Sequence, residues 1–443
     1  MDQKQQMREE QRLERREARR KRRKRNQMAA YMTVVAFIAI VVIGAIVGVS
    51  LLTNNQAQQQ QEVLDDNQTK LDEMLATEET IEVPDETVVP ELTPEQKLDE
   101  IVNAGIEVMP LEDKVAGLFI VTPESITGVS TAVKAGEGTQ TALAKYAVGG
   151  VVYFGKNMKS EEQLKEMIDN TQLYTKYPLF IAVDEEGGSV SRVANAGIAT
   201  GVDSAKEIGA TGDANNAYQA GTTVGTYLTN LGFNLDFAPV ADIANVENSI
   251  MTERSYGSDA TAAASFVTSM MKGLEEQKVT ACLKHFPGIG CTTEDTHNGI
   301  VKTDRSIEDF RANEFTVFQA GIDAGADMIM VSHVAASSLA GDNTPCSLSD
   351  KVVTDILRNE LNFNGVIITG ALNMSAISEY YGADEAAIMA LKAGCDMILM
   401  PEDFEKAYNG VLEAVKNGTI SEERINDSLR RIYRIKYADK IEQ

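Results

Sequence analysis

The chain has no tryptophan and only three histidines, His285, His297 and His333, in 443 residues. None of these pairs at i, i+4, so a histidine-built metal centre is not expected. The four cysteines, Cys282, Cys291, Cys346 and Cys395, match no zinc or redox spacing. Buried free thiols are expected, with a Cys282–Cys291 bridge as the alternative in an oxidising compartment. No GxGxxG follows an early strand pattern, which argues against an open dinucleotide-binding sheet. Excess positive charge is confined to the first 27 residues, where twelve Lys/Arg face five acids, a net of 12 − 5 = +7. The whole chain carries −25, so the remainder carries −25 − 7 = −32. A body that acidic argues against nucleic acid as a partner.

One charge-free run stands out. Ala29 to Leu52 is 24 residues without an ionisable side chain. As a helix it would span roughly 36 Å, enough to cross a hydrocarbon core with some tilt. The basic cluster Arg19 to Arg25 precedes it, which places the N-terminus in the cytoplasm and the rest outside. The run is too long for an ordinary cleaved signal peptide. The expected organisation is a basic cytoplasmic tail over 1–28, a transmembrane signal-anchor over 29–52, an acidic Gln- and Pro-containing linker over 53–95, and a folded domain over 96–443.

Within that domain, short apolar runs alternate with helical patterns. Strands are predicted at Leu118–Val121, Val151–Phe154, Leu179–Val183, Leu235–Pro239, Val279–Leu283, Met328–Val331, Val366–Ile368 and Met397–Met400. Helices are predicted at Ser160–Leu173, Asn215–Leu231, Ala260–Gln277, Ser306–Ala324, Ser349–Leu361, Ala383–Ala393 and Ser421–Tyr437. Continuous apolar strands alternating with helices imply a parallel sheet covered on its outer face. Eight such units fit a closed (β/α)8 barrel of the α/β class, with an open doubly wound sheet as the runner-up. Two segments echo each other, Ala324-Gly325-Ala326-Asp327 and Ala393-Gly394-Cys395-Asp396, each a helix end turning into a strand.

Barrel chemistry is carried at the carboxyl ends of strands. Strand three ends in Asp184-Glu185-Glu186-Gly187-Gly188, with Arg192 beyond, and strand four leads to Asp242 and then Arg254. Strand five leads to Lys284 and His285, then Asp295-Thr296-His297, and strand six leads to Ser332-His333. All three histidines of the chain fall in this set. Fixed cationic donors and carboxylate acceptors suit a polyhydroxylated ligand. Asp295 and His297 sit two apart, so an extended backbone turns both the same way. The carboxylate could then fix the imidazole tautomer, making His297 a candidate general acid/base.

These motifs resemble glycoside hydrolase family 3, in its single-barrel β-N-acetylhexosaminidase branch. D-x-E-G-G (Asp184, Glu186, Gly187, Gly188), F-A-P-V-x-D (Phe237 to Asp242), R-S-[FY]-G (Arg254 to Gly257), K-H-F-P-G-x-G (Lys284 to Gly290) and D-x-H (Asp295 to His297) occur in order. The resemblance implies that Asp184, Arg254, Lys284 and His285 hold the terminal sugar, and that Asp295 and His297 form the acid/base dyad. Arg192, Asp242 and His333 are further candidates for substrate binding. It implies no metal and no organic cofactor. A histidine often precedes the second glycine of K-H-F-P-G-x-G; Ile289 stands there.

The family is retaining and uses a carboxylate nucleophile in a pattern like I-[IV]-T-D-[AS]-L-x-M. This chain reads Ile367-Ile368-Thr369-Gly370-Ala371-Leu372-Asn373-Met374, so Gly370 occupies the nucleophile position. A residue without a side chain cannot form a glycosyl-enzyme ester. Three explanations stay open: a sugar-binding pseudoenzyme, a recent or introduced substitution in an otherwise intact site, and turnover by the substrate's own acetamido group. The expectation is a membrane-anchored, extracytoplasmic β-N-acetylhexosaminidase-type protein with impaired activity. Its ligand would be terminal β-linked N-acetylglucosamine on cell-wall or related glycans. The alternative is a non-catalytic surface sugar-binding protein.

Overall fold

The computed structural model describes residues 92–294 and 299–438. The expected tail, membrane anchor, most of the linker and the Asp295–His297 pair lie outside those residues. Among the described residues no helix is long and apolar enough to cross a membrane.

Eight parallel strands close into a barrel: β1 (Phe119–Val121), β2 (Gly150–Val152), β3 (Phe180–Val183), β4 (Leu235–Asp236), β5 (Thr280–Phe286), β6 (Met328–Val331), β7 (Val366–Ala371) and β8 (Met397–Leu399). Each strand pairs with its sequence neighbours, and β1 pairs with β8 to complete the ring. The strands are almost wholly buried, because barrel side chains fill one face and helices cover the other. That double burial is why they read as unbroken apolar runs in the sequence.

Several strand ends differ from expectation: β2 stops at Val152, β7 runs on to Ala371, β8 stops at Leu399, and two more bear on the site. β4 stops at Asp236 rather than Pro239, since Pro239 has no N–H to continue the ladder. Pairing resumes at an isolated bridge between Val240 and Lys284. β5 runs on through Lys284 and His285 to Phe286, past the predicted end at Leu283. Its register against β6 shifts between Lys284 and Phe286. Neighbouring strand residues ordinarily face opposite sides, and an irregularity of this kind re-aims them.

The predicted helix Ser306–Ala324 is two helices, Ile307–Ala312 and Glu314–Asp323, broken at Asn313. Asn313 ends the first and opens the second, and its amide donates to the Asp309 carbonyl. Helices at Pro94–Glu107 and Phe404–Lys416 were not expected. The first starts with a capping box on Thr93, so the folded domain begins slightly before residue 96. The last helix, Glu422–Tyr437, buries Ile425, Leu429 and Ile432 as its spacing predicts and packs on Pro94–Glu107. In the repeated helix–strand turn, Gly325 and Gly394 take φ of +96° and +118°, a conformation that favours glycine. All four cysteines are free thiols, so Cys282 and Cys291 are not bridged.

Candidate active site

The carboxyl ends of the strands surround a cavity of about 560 Å3. Asp184, Arg192, Arg254, Lys284, His285, His333 and Gly370 all line it. Seven of the expected site residues therefore meet at one mouth. Asp295 and His297 lie outside the described residues.

The wall is organised around a buried lysine. Lys284 Nζ lies 2.7 Å from Asp184 Oδ1 and 2.6 Å from Glu186 Oε1. Asp184 and Glu186 are two apart and extend to the same side, while Glu185 turns the other way. Arg254 grips Glu186 with two parallel bonds, Nε to Oε2 at 2.8 Å and a terminal nitrogen to Oε1 at 2.7 Å. Burial pushes the Glu186 carboxyl up, but Lys284 and Arg254 outweigh it and bring its pKa down to about 2. Burial likewise works against the Lys284 charge, and the Asp184 and Glu186 carboxylates hold its pKa above the usual lysine value. The four groups form one connected ion-pair network. Asp184 is its most open carboxylate, with a fifth of its side chain exposed to the cavity.

Glu186 was quoted in a motif but not assigned a role, and it is the keystone. The signal was present: in an extended segment, residue 186 must share the face of residue 184. Asp242 requires the opposite correction. It was expected to bind ligand, but its side chain is fully buried and does not reach the cavity wall. Its Oδ2 accepts from His285, with Nδ1 at 2.6 Å and the backbone N at 3.2 Å, and its Oδ1 accepts the Ile289 N–H at 2.6 Å. Asp242 is a positioning residue. It fixes the His285 ring so that Nε2 faces Arg254 at 3.5 Å. Burial lowers the His285 pKa against the pull of Asp242.

Glu185 turns away from the cavity and is fully buried behind it. It accepts the N–H groups of Val193 and Ala194 and the hydroxyl of Tyr227. Those amides open the short helix Arg192–Asn195, so Glu185 anchors the segment that carries Arg192. Arg192 lies over the Phe154 ring and 3.9 Å from Asp184 Oδ2. Phe154, Met330, Met374 and Met400 supply an apolar wall.

The floor lacks a reactive group. His333 is buried, with Nδ1 2.7 Å from Ser347 Oγ and Nε2 3.0 Å from the Ala371 carbonyl oxygen. Gly370 sits beside it. A Cβ placed on Gly370 would fall 2.9 Å from His333 Nε2. Both wall carboxylates among the described residues, Asp184 and Glu186, are held by Lys284. Among the described residues no cluster of three or more His, Cys, Asp or Glu could hold a metal ion.

Comparison with known proteins agrees with the geometry. Residues 110–435 match the glycosyl hydrolase family 3 N terminal domain. The chain belongs to glycosyl hydrolase family 3. It is 30% identical over 324 residues to beta-hexosaminidase A of Pseudoalteromonas piscicida, covering 66% of this chain and 54% of that protein. It is 33% identical over 296 residues to a beta-hexosaminidase of Idiomarina loihiensis, covering 65% and 87%. Among solved structures, a family 3 beta-N-acetylglucosaminidase from Paenibacillus sp. str. FPU-7 superposes with a TM-score of 0.71 at 33% identity, covering 76% of this chain and 64% of that one. The chain thus spans about half of the Pseudoalteromonas protein and under two thirds of the Paenibacillus one.

Proposed function

We propose that the protein recognises terminal β-linked N-acetylglucosamine on cell-wall or related glycans and hydrolyses it poorly, because Gly370 leaves the floor without a nucleophile. The observation that carries this reading is the contrast between wall and floor. The Asp184–Lys284–Glu186–Arg254 ion-pair network is complete, as a sugar-hydroxyl clamp needs. Opposite it, the nucleophile position on the floor carries only the glycine. A retaining glycosidase forms its covalent intermediate on a carboxylate aimed at the anomeric carbon, and residue 370 cannot supply one. Asp184 and Glu186 are already committed to cations, so neither is placed to attack or to orient a substrate amide. The names of the relatives support the sugar class. We further propose that Ala29 to Leu52 anchors the chain in a membrane with the barrel outside, supported by the basic cluster before that run.

The reading makes two separable demands. Calorimetry on the full chain should detect N-acetylglucosamine binding. Release of 4-nitrophenol from the corresponding β-glycoside should run several orders of magnitude below the usual 1–10³ s⁻¹ range. Turnover at ordinary rates overturns the defect; absent binding overturns the sugar site. A purely sugar-binding role is the second reading, favoured by the same committed carboxylates.

A further inference from the structure

One buried carboxylate close to the site has no part in it so far. Glu314 opens the helix Glu314–Asp323, and its side chain is fully buried. It lies against the turn that follows His285: a Cβ added to Gly288 would land on the Glu314 Cγ. Gly288 has φ of +122°, and its N–H donates to the His285 carbonyl at 2.7 Å. The next N–H along, that of Ile289, goes to Asp242. Glu314 thus backs a turn that Asp242 also ties, and Asp242 holds the His285 ring.

The Glu314 charge is poorly answered. Arg305 Nε lies 3.2 Å from Glu314 Oε2. Yet neither Glu314 oxygen nor Arg305 Nε makes an aligned hydrogen bond among the described residues. Arg305 instead gives a terminal nitrogen to Asn245 Oδ1 at 3.1 Å and lies over the Phe310 ring. Besides Arg305, the carboxyl is faced by Asp242 and Asn245 from the segment after β4, and by Cys291 from the turn after β5. A buried carboxylate beside a like charge is disfavoured, and one misaligned cation offsets only part of that cost. Burial, helped by Asp242, accordingly pushes the Glu314 pKa up to about 7 against the pull of Arg305.

We propose that Glu314 is a positioning residue for the sugar site, a proton-dependent support that holds the Pro287–Gly288 turn and, through Asp242, the His285 ring. Protonated, it packs under the turn as a neutral group. Ionised, it repels Asp242 and draws on Arg305, which competes with the Asn245 contact and loosens the turn. The folded state holds this proton more tightly than the unfolded chain, whose value is near 4.5. Stability from this group is therefore full below pH 4.5 and is lost as pH rises through about 7. Sugar affinity follows the same direction, falling as Glu314 ionises. The affinity effect rests on the reading of the cavity as a sugar site; the coupling of Glu314 to His285 does not.

The test compares the full chain with Glu314→Gln, which keeps the shape and cannot ionise. Calorimetry with N-acetylglucosamine is run from about pH 6 to about pH 8.5. Relative to the variant, the parent's affinity should fall on the order of fivefold over that range, the low end of ordinary coupling between sites. His285 ring signals in NMR read the coupling without sugar. Besides the ring's own titration at lower pH, the parent should show a second inflection near pH 7. Glu314→Gln should remove that inflection, and Arg305→Gln, which takes away the carboxylate's cation, should move it to higher pH. A parent without the second inflection, or one that stays in Glu314→Gln, overturns the positioning role. If the inflection behaves as expected and N-acetylglucosamine fails to bind, the sugar reading falls and the positioning role stands. If the sugar binds with the same pH profile in parent and variant, the reverse holds.

Discussion

The His333 ring stands against the empty side-chain position of Gly370, with Nε2 2.9 Å from where a Cβ would be. Contacts that short do not persist, so any residue larger than glycine at 370 must displace the ring. The ring is not loose: Ser347 and the Ala371 carbonyl hold its two nitrogens. Gly370→Ala should therefore destabilise the domain by about 1–3 kcal/mol, the usual penalty for forcing a group into a packed site. Chemical denaturation of the two chains checks this, and an unchanged midpoint would show that the ring yields freely.

Glu186 should matter more for stability than Asp184. Its carboxylate balances both Lys284 and Arg254, whereas Asp184 shares Lys284 and remains partly open. Glu186→Gln leaves buried Lys284 and half-buried Arg254 with one carboxylate and should cost on the order of 3 kcal/mol, with sugar binding lost. Asp184→Asn should weaken sugar binding on the order of tenfold or more at a smaller stability cost. Thermal unfolding and calorimetry on both variants separate the two roles.

Replacing Asp242 by Asn should act only through His285. The amide can still meet one His285 donor, but it no longer favours a fixed Nδ1–H. The His285 pKa is lowered by burial and raised by Asp242, so removing that carboxylate should lower it further. The expected signature is a weaker sugar affinity, with His285 ring signals in NMR shifting at lower pH than in the parent chain. A rise in the His285 pKa would contradict the assignment.

Glu275 offers a pH test away from the site. It ends the helix Ala260–Glu275, where the helix dipole disfavours negative charge, and one of its oxygens is buried without a hydrogen-bond partner. Burial, with help from Asp327, pushes its pKa up to about 8. The folded state then holds the proton more tightly than the unfolded chain, whose value is near 4.5. Stability from this group is full below pH 4.5 and is lost as pH rises towards 8. Glu275→Gln should therefore raise stability at pH 8 by on the order of 2 kcal/mol and change little at pH 4.5. Equal effects at both pH values would contradict the shift.

The barrel was legible because doubly buried strands cannot hide their apolar runs. All eight appear where the sequence places them, and Asn215–Leu231 and Ala383–Ala393 match to the residue. The errors have physical sources. Lys284 and His285 were placed beyond their strand because polar residues looked like a loop, yet they face a cavity from within β5. The single helix over 306–324 broke at Asn313, whose capping habit competes with the helix interior. At the site, residue identities could be read but not their partners. Asp242 and Asp184 look alike in sequence, and only the fold shows one behind His285 and the other on the wall.

Gly370→Asp on the full chain, assayed beside the parent on one chromogenic N-acetylglucosaminide, tests the floor defect most directly. The variant should gain turnover on the order of a thousandfold or more, limited by how far His333 can move aside, while sugar affinity in the parent is already present. A parent chain that turns over as fast as the variant, or a folded variant that binds the sugar and stays inert, would contradict it.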